Sequence, residues 1–261
     1  RACDRAERAG IEPRAACLQR LAATDLLAPL LSSWLVEDAL ARVLPFAAFL
    51  ALTLLQGRLG AASLFWVYGL KTLVGAYLVW LVWPLVAEMR WKFGWDAVFT
   101  GVAVFGLWVA LGRGPGTQQG LAALLGLSAA TTVQVPPWNP FAAFGDTSTL
   151  AWCFVALRLI GSSLVVPPIE EAFYRSFVYR WFTDASFDRV PLERFAWRPF
   201  LSTSLVFGFA HQEWLAGILC GAAYQWLVIR HGRLGEAMTA HAITNGLLGA
   251  WVVATGAWQF W

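Results

Sequence analysis

Two adjacent carboxylates, Glu170 and Glu171, stand in the segment Pro167-Pro168-Ile169-Glu170-Glu171-Ala172-Phe173-Tyr174-Arg175. On a helix, neighbouring side chains diverge by about 100°, so the two acids face different surroundings. Glu171 and Arg175 are four apart and can pair along one face. Glu170 points elsewhere and lacks that partner. A lone carboxylate among apolar helices is costly, so it should find a histidine, a proton or a water. The two prolines read as a helix start, where a missing N–H leaves nothing unpaired. The plainer alternative is an interfacial helix start whose acids only favour the macrodipole.

The chain has three histidines, and two sit in apolar segments. His211 ends Phe207-Gly208-Phe209-Ala210-His211; a histidine there can also simply meet headgroups or terminal carbonyls. His241 and Asn245, in His241-Ala242-Ile243-Thr244-Asn245, are four apart and share a face, with Gly249 continuing it. As a packing device such a pair is worth on the order of 0.6 kcal/mol in lipid. The third, His231, lies in Arg230-His231-Gly232-Arg233 and reads as a solvated loop.

A carboxylate, two imidazoles and an amide make a hydrolytic set. Glu170 can act as general base on a water, with His211 holding that water. His241 and Asn245 can donate to a developing oxyanion. Glu170, His211 and His241 also match a three-ligand zinc set with one open position. No HExxH is present, and the ligands would come from three separate helices, so metal-free chemistry is favoured and zinc is the alternative.

The elements that must hold these groups are apolar. Hydrophobic residues make up 59% of 261 and charged ones 13%, and mean hydropathy is +0.59. Soluble domains carry roughly 25% charge, so this composition cannot furnish a water-facing surface. Sixteen tryptophans suit headgroup-level anchoring. A spanning helix needs about 20 mostly apolar residues. Runs that qualify or nearly so are 43–57, 64–87, 97–112, 121–135, 149–167, 200–211, 214–229 and 234–257. The expectation is an all-α polytopic transmembrane bundle of about seven or eight helices, since lipid admits only helices and closed barrels. Residues 1–42 read as a peripheral segment with a short amphipathic helix near 26–44, and residues 43–261 as the transmembrane domain. The net charge of +3 is too small to suggest nucleic acid, and Lys/Arg appear in most loops, which leaves orientation open. Cys3, Cys17, Cys153 and Cys220 show no CxxC spacing and no disulfide framework. No internal repeat appears, against a transporter of inverted halves.

Taken in order, EExxxR at Glu170–Arg175, FxxxH at Phe207–His211 and HxxxN at His241–Asn245 resemble the motifs of the CPBP family, the CAAX prenyl endopeptidases and bacteriocin-processing (Abi) membrane proteins. Local sequence around them is similar to the bacterial branch associated with exosortase systems. The likeness covers about residues 148–250 well and extends loosely from about 43. It implies Glu170 as the water-activating base, His211 as its partner, His241 and Asn245 as the oxyanion site, and Glu171 with Arg175 as support. It further implies an intramembrane protease in the bilayer, by expectation a bacterial inner membrane, acting on a peptide or protein substrate. That substrate could be a C-terminal segment of a membrane or lipidated protein. Rhomboid and aspartyl intramembrane proteases fit less well: Gly161-Ser162-Ser163-Leu164 and Gly145-Asp146 supply only fragments of their motifs. The alternative function is a non-catalytic scaffold or bacteriocin-immunity-type protein, and behind it a proton-relay transporter.

Overall fold

A computed structural model of the chain describes residues 34–112 and 137–261. All regular structure among them is helical. Helix α1 spans Trp34–Leu55, α2 Ser63–Val82, α3 Trp95–Gly112, the short α4 Pro140–Phe144, α5 Thr149–Thr183, α6 Trp197–Phe209, α7 Trp214–His231 and α8 Gly235–Thr255. Five stretches are long and apolar enough to cross a bilayer: Asp38–Leu55 within α1, then α2, α3, α5 and α8. The protein is a helical membrane bundle. The run at 121–135 expected as a span lies outside the described residues, as does most of the peripheral segment. The boundary drawn after residue 42 falls inside α1.

Pro167 and Pro168 do not open a helix. They lie in the interior of the 35-residue α5. A π-helical stretch, Gly161–Val165, immediately precedes them, with Val166 N–H donating back to Gly161 O. The wider turn suits two residues that cannot donate to the ordinary ladder, whose ring would otherwise clash one turn back. A second π-helical stretch, Ala172–Val178, follows the glutamates. Insertions of this kind re-aim side chains and recur at functional sites.

Close helix contacts rest on glycine. A Cβ on Gly217 of α7 would meet Gly208 Cα of α6 at 2.9 Å, and one on Gly101 of α3 would meet Ala240 O of α8 at 2.6 Å. Small residues let backbones approach where lipid offers no hydrophobic drive to associate. Thr244 Oγ1 adds a donation to Gly101 O at 2.9 Å.

A polar clamp ties α1, α5 and the α2–α3 connection together. Glu88 accepts from Arg42 Nη2 at 2.7 Å and Nε at 3.1 Å, and from the Ser176 hydroxyl, and lies 3.5 Å from Arg180 Nη1. Burial alone would push the Glu88 carboxyl up; the Arg42 guanidinium and Ser176 hydroxyl outweigh it and hold it below the usual range. A depressed carboxyl contributes stability above its unfolded value, about 4.3, and loses it as pH falls through the folded value. Thermal melts in detergent should therefore drop below about pH 4. The deficit of Glu88→Gln relative to the parent should shrink there; a deficit constant with pH would refute this.

The two ends of the bundle differ in how many basic residues they carry. One end gathers connections carrying Arg90 and Lys92, Arg189 and Arg194, and Arg233, with Arg198 and Arg230 in the adjoining helix turns. These connections are knit by Leu234 N–H to Glu88 O and Thr239 Oγ1 to Lys92 O. The opposite end holds Arg58 alone among described connections, with Arg113 next after Gly112 in sequence. There Trp138 Nε1 donates to Leu64 O, and Trp138 packs on Trp261.

Candidate active site

Helix α5 supplies both glutamates, and the divergence expected of neighbours on a helix separates their roles. Glu171 is fully buried, its Oε2 3.1 Å from Arg175 Nε, itself fully buried. Its other oxygen meets a group that sequence reasoning did not give it: His241 Nδ1, 2.9 Å away on α8. Only an N–H can sit against a carboxylate oxygen in this way, so Nδ1 carries the proton and Nε2 is the ring's remaining functional nitrogen. Glu171 thus joins Arg175 and His241, through an ion pair to the first and a hydrogen bond from the second.

Glu170 faces a cavity of about 360 Å³. His211, His241 and Asn245 line the same cavity, so all four residues singled out for chemistry border one space. The Glu170 Oε2 is buried and without a hydrogen-bond partner among the described residues. His211, just past the end of α6, places Nδ1 2.8 Å from Phe207 O. That contact fixes the proton on Nδ1 and leaves Nε2 of the neutral ring as an acceptor. The Phe207 ring is the common wall: His211 lies 4.7 Å and His241 6.3 Å from it between ring centroids, with the Arg175 guanidinium 4.3 Å from its centre.

Asn245 is held by the π-helical stretch. Its Nδ2 donates to Ser162 O at 2.8 Å, which leaves the second N–H of the amide free. Tyr224 of α7 stacks on the His241 ring at 5.2 Å and donates to Thr244 Oγ1 at 2.7 Å. Trp108 of α3 meets His211 edge-on at 5.5 Å. Glu213 stands nearer the surface, its carboxyl pushed up by burial against the lowering pull of a backbone N–H and His211. The cavity reaches the exposed residues Gln212 and Gln259.

No three His, Cys, Asp or Glu side chains among the described residues come together as a metal-binding group. Glu170, His211 and His241, the set considered for zinc, share the cavity without forming such a cluster. His231, read as a solvated loop residue, instead ends α7, with Nε2 on Asp96 Oδ2 and Nδ1 3.8 Å from Glu236 Oε1. It ties three elements together at the basic end, away from the cavity.

Sequence reasoning also passed over Tyr224, Trp108, Lys71 and Arg158, which line the cavity too. For Lys71 and Arg158 a signal existed, since both are ionisable residues inside apolar runs.

Residues 151–247 match the family model of the Rce1-like type II CAAX prenyl endopeptidases. Every residue assigned a catalytic or supporting role falls within that range. No curated protein and no solved structure matches the chain.

Proposed function

We propose that this chain, a membrane protease by its match to the CAAX endopeptidase family, hydrolyses peptide bonds inside the bilayer by glutamate- and histidine-activated water. The observation that carries the reading is the buried Glu170 Oε2, without a hydrogen-bond partner among the described residues, on a cavity shared with His211, His241 and Asn245. Glu170 takes the proton of a water whose hydrogen bond to His211 Nε2 orients it toward the scissile carbonyl. That carbonyl becomes an oxyanion as the water oxygen bonds to carbon. Asn245 offers its free amide N–H to it. His241, with Nδ1–H committed to Glu171, donates from Nε2 when the ring carries both protons. The proton gained by Glu170 then passes to the leaving amine as the C–N bond breaks.

The substrate is a peptide segment entering from the membrane, and the setting is a bacterial cytoplasmic membrane. A non-catalytic scaffold is the competing reading. It predicts no turnover and leaves the orphaned Glu170 oxygen without a purpose.

The test is cleavage of a randomised peptide library by protein reconstituted in vesicles, with Glu170→Gln as the blank. Turnover by the parent that survives strong chelators and vanishes in the blank supports the mechanism. Loss on chelation with recovery on adding zinc would replace the direct Glu170–water step by a metal-bound one. Asn245→Leu should lower kcat by about 10²–10³-fold with little change in KM, because an oxyanion donor acts only in the transition state. A KM effect alone would move Asn245 out of the oxyanion role.

A further inference from the structure

The cavity wall carries two cations, Lys71 and Arg158, and the Glu170 carboxylate that borders the same cavity forms an ion pair with neither. Lys71 of α2 is 6% exposed, donates to Thr53 Oγ1 at 3.2 Å and lies 4.9 Å and 4.8 Å from the Phe49 and Tyr68 ring centres. Arg158 of α5 has its guanidinium carbon 4.9, 4.5 and 5.2 Å from the rings of Tyr68, Trp138 and Trp261. Both cations lie against one ring, Tyr68, whose hydroxyl donates to Arg158 O at 3.3 Å.

Elsewhere in the described structure the buried guanidinium groups meet acids: Arg42 and Arg180 at Glu88, Arg175 at Glu171. Lys71 and Arg158 form no ion pair among the described residues, and the Arg158 side chain donates no hydrogen bond there. Aromatic faces hold a cation by its π surface and leave the N–H edge of a guanidinium unused. A charged group at membrane depth is costly unless paired. Two such groups kept together on the wall of a cavity are therefore arranged for an anion that arrives from outside.

We propose that Lys71 and Arg158 form an anion subsite that seats a carboxylate of the peptide substrate. The proposal rests on the proteolytic reading above and deepens it by naming a substrate feature. A planar carboxylate matches the fork of Arg158, with Lys71 as the neighbouring point charge. Glu170 borders the same cavity, so a carboxylate anchored there fixes which peptide bond lies against the activated water. Two sources carry this chemistry in a peptide: its free C-terminus and an acidic side chain.

The experiment uses randomised fluorescent peptide pools of one length in three forms: a free terminal carboxylate, the carboxamide, and the carboxamide with one internal Asp. Cleavage is measured with reconstituted parent protein, and binding with the Glu170→Gln protein, whose affinity readout needs no turnover. The parent should favour acid-bearing pools over the plain carboxamide by about ten- to a hundredfold in kcat/KM, the range expected of charge-assisted hydrogen bonds. The first or the third pool leading tells which carboxylate is read. Arg158→Gln should bring the ratio close to one through KM; Arg158→Lys should restore part of the preference. Should Arg158→Gln fail to fold, Lys71→Met carries the same comparison. Equal cleavage of all pools by the parent overturns the subsite and leaves proteolysis standing. Preferential binding of acid pools with no cleavage overturns proteolysis and keeps the subsite. Absence of binding to any pool overturns the subsite as well. Activity that instead follows phosphatidylglycerol content in the vesicles, with Arg158→Gln removing that dependence, assigns the cations to lipid phosphate and also overturns it.

Discussion

Replacing Glu170 with glutamine should leave a folded protein whose peptide cleavage falls by about 10²–10⁴-fold, the usual contribution of a positioned acid–base group. The substitution keeps the volume and removes only the capacity to accept and return a proton. The Glu170 Oε2 has no hydrogen-bond partner to lose among the described residues, so the cost to the fold should be small. Cleavage rate and thermal midpoint are to be measured on the same preparation. Retained turnover, or a large drop in melting temperature, would remove Glu170 from the centre of the mechanism.

The opposite balance is expected at the neighbouring ion pair of Glu171 and Arg175. Arg175→Ala should destabilise the protein by about 3–5 kcal/mol, the range seen when a buried ion pair loses one partner. Both Arg175 and Glu171 are completely buried, and the guanidinium also packs on Phe207 at 4.3 Å and lies 3.4 Å from Gly221 O. Removing it leaves Glu171 charged in the interior with only His241 to meet it. Joint replacement of Glu171 and Arg175 by methionine removes both charges and fills the space, so it should cost less than the sum of the single replacements. Unfolding in graded detergent denaturant would read this coupling. Strict additivity would show that the pair does not act as one unit.

Much of this arrangement is legible in the sequence, because the strongest signals are local. Apolar runs mark the long helices, and the four-residue spacings of Glu171–Arg175 and His241–Asn245 place each pair on one helix face. What stays hidden depends on distant residues or on backbone departures from the ordinary helix. The contact between Glu171 and His241 spans seventy positions, and no spacing rule reaches that far. The prolines at 167 and 168 read as a helix start because Pro normally breaks an interior. The π-helical turn before them changes that, and its main trace in the sequence is Gly161. The role of His231 was hidden for a similar reason: its partner Asp96 is 135 positions away. Lys71 and Arg158 were visible as ionisable residues in apolar runs, but their shared ring, Tyr68, emerges only from the packing of α2 on α5.

The uneven distribution of Lys and Arg between the two ends has a consequence for traffic. Short connections rich in Lys and Arg remain in the cytoplasm during membrane insertion, whatever acids accompany them. By that rule the end carrying Arg90, Lys92, Arg194 and Arg230 is expected on the cytoplasmic side, and the cavity, which surfaces at Gln212 and Gln259, would then open on the far side. A substrate segment would meet Glu170 only after export had begun, so cleavage would be timed by secretion rather than by synthesis. In a version of the protein with its cysteines replaced, a new cysteine at Asp146 should react with an impermeant maleimide on intact cells. One at Asp188 should react only after lysis. The reverse labelling would turn the protein over and return its substrates to the cytoplasm.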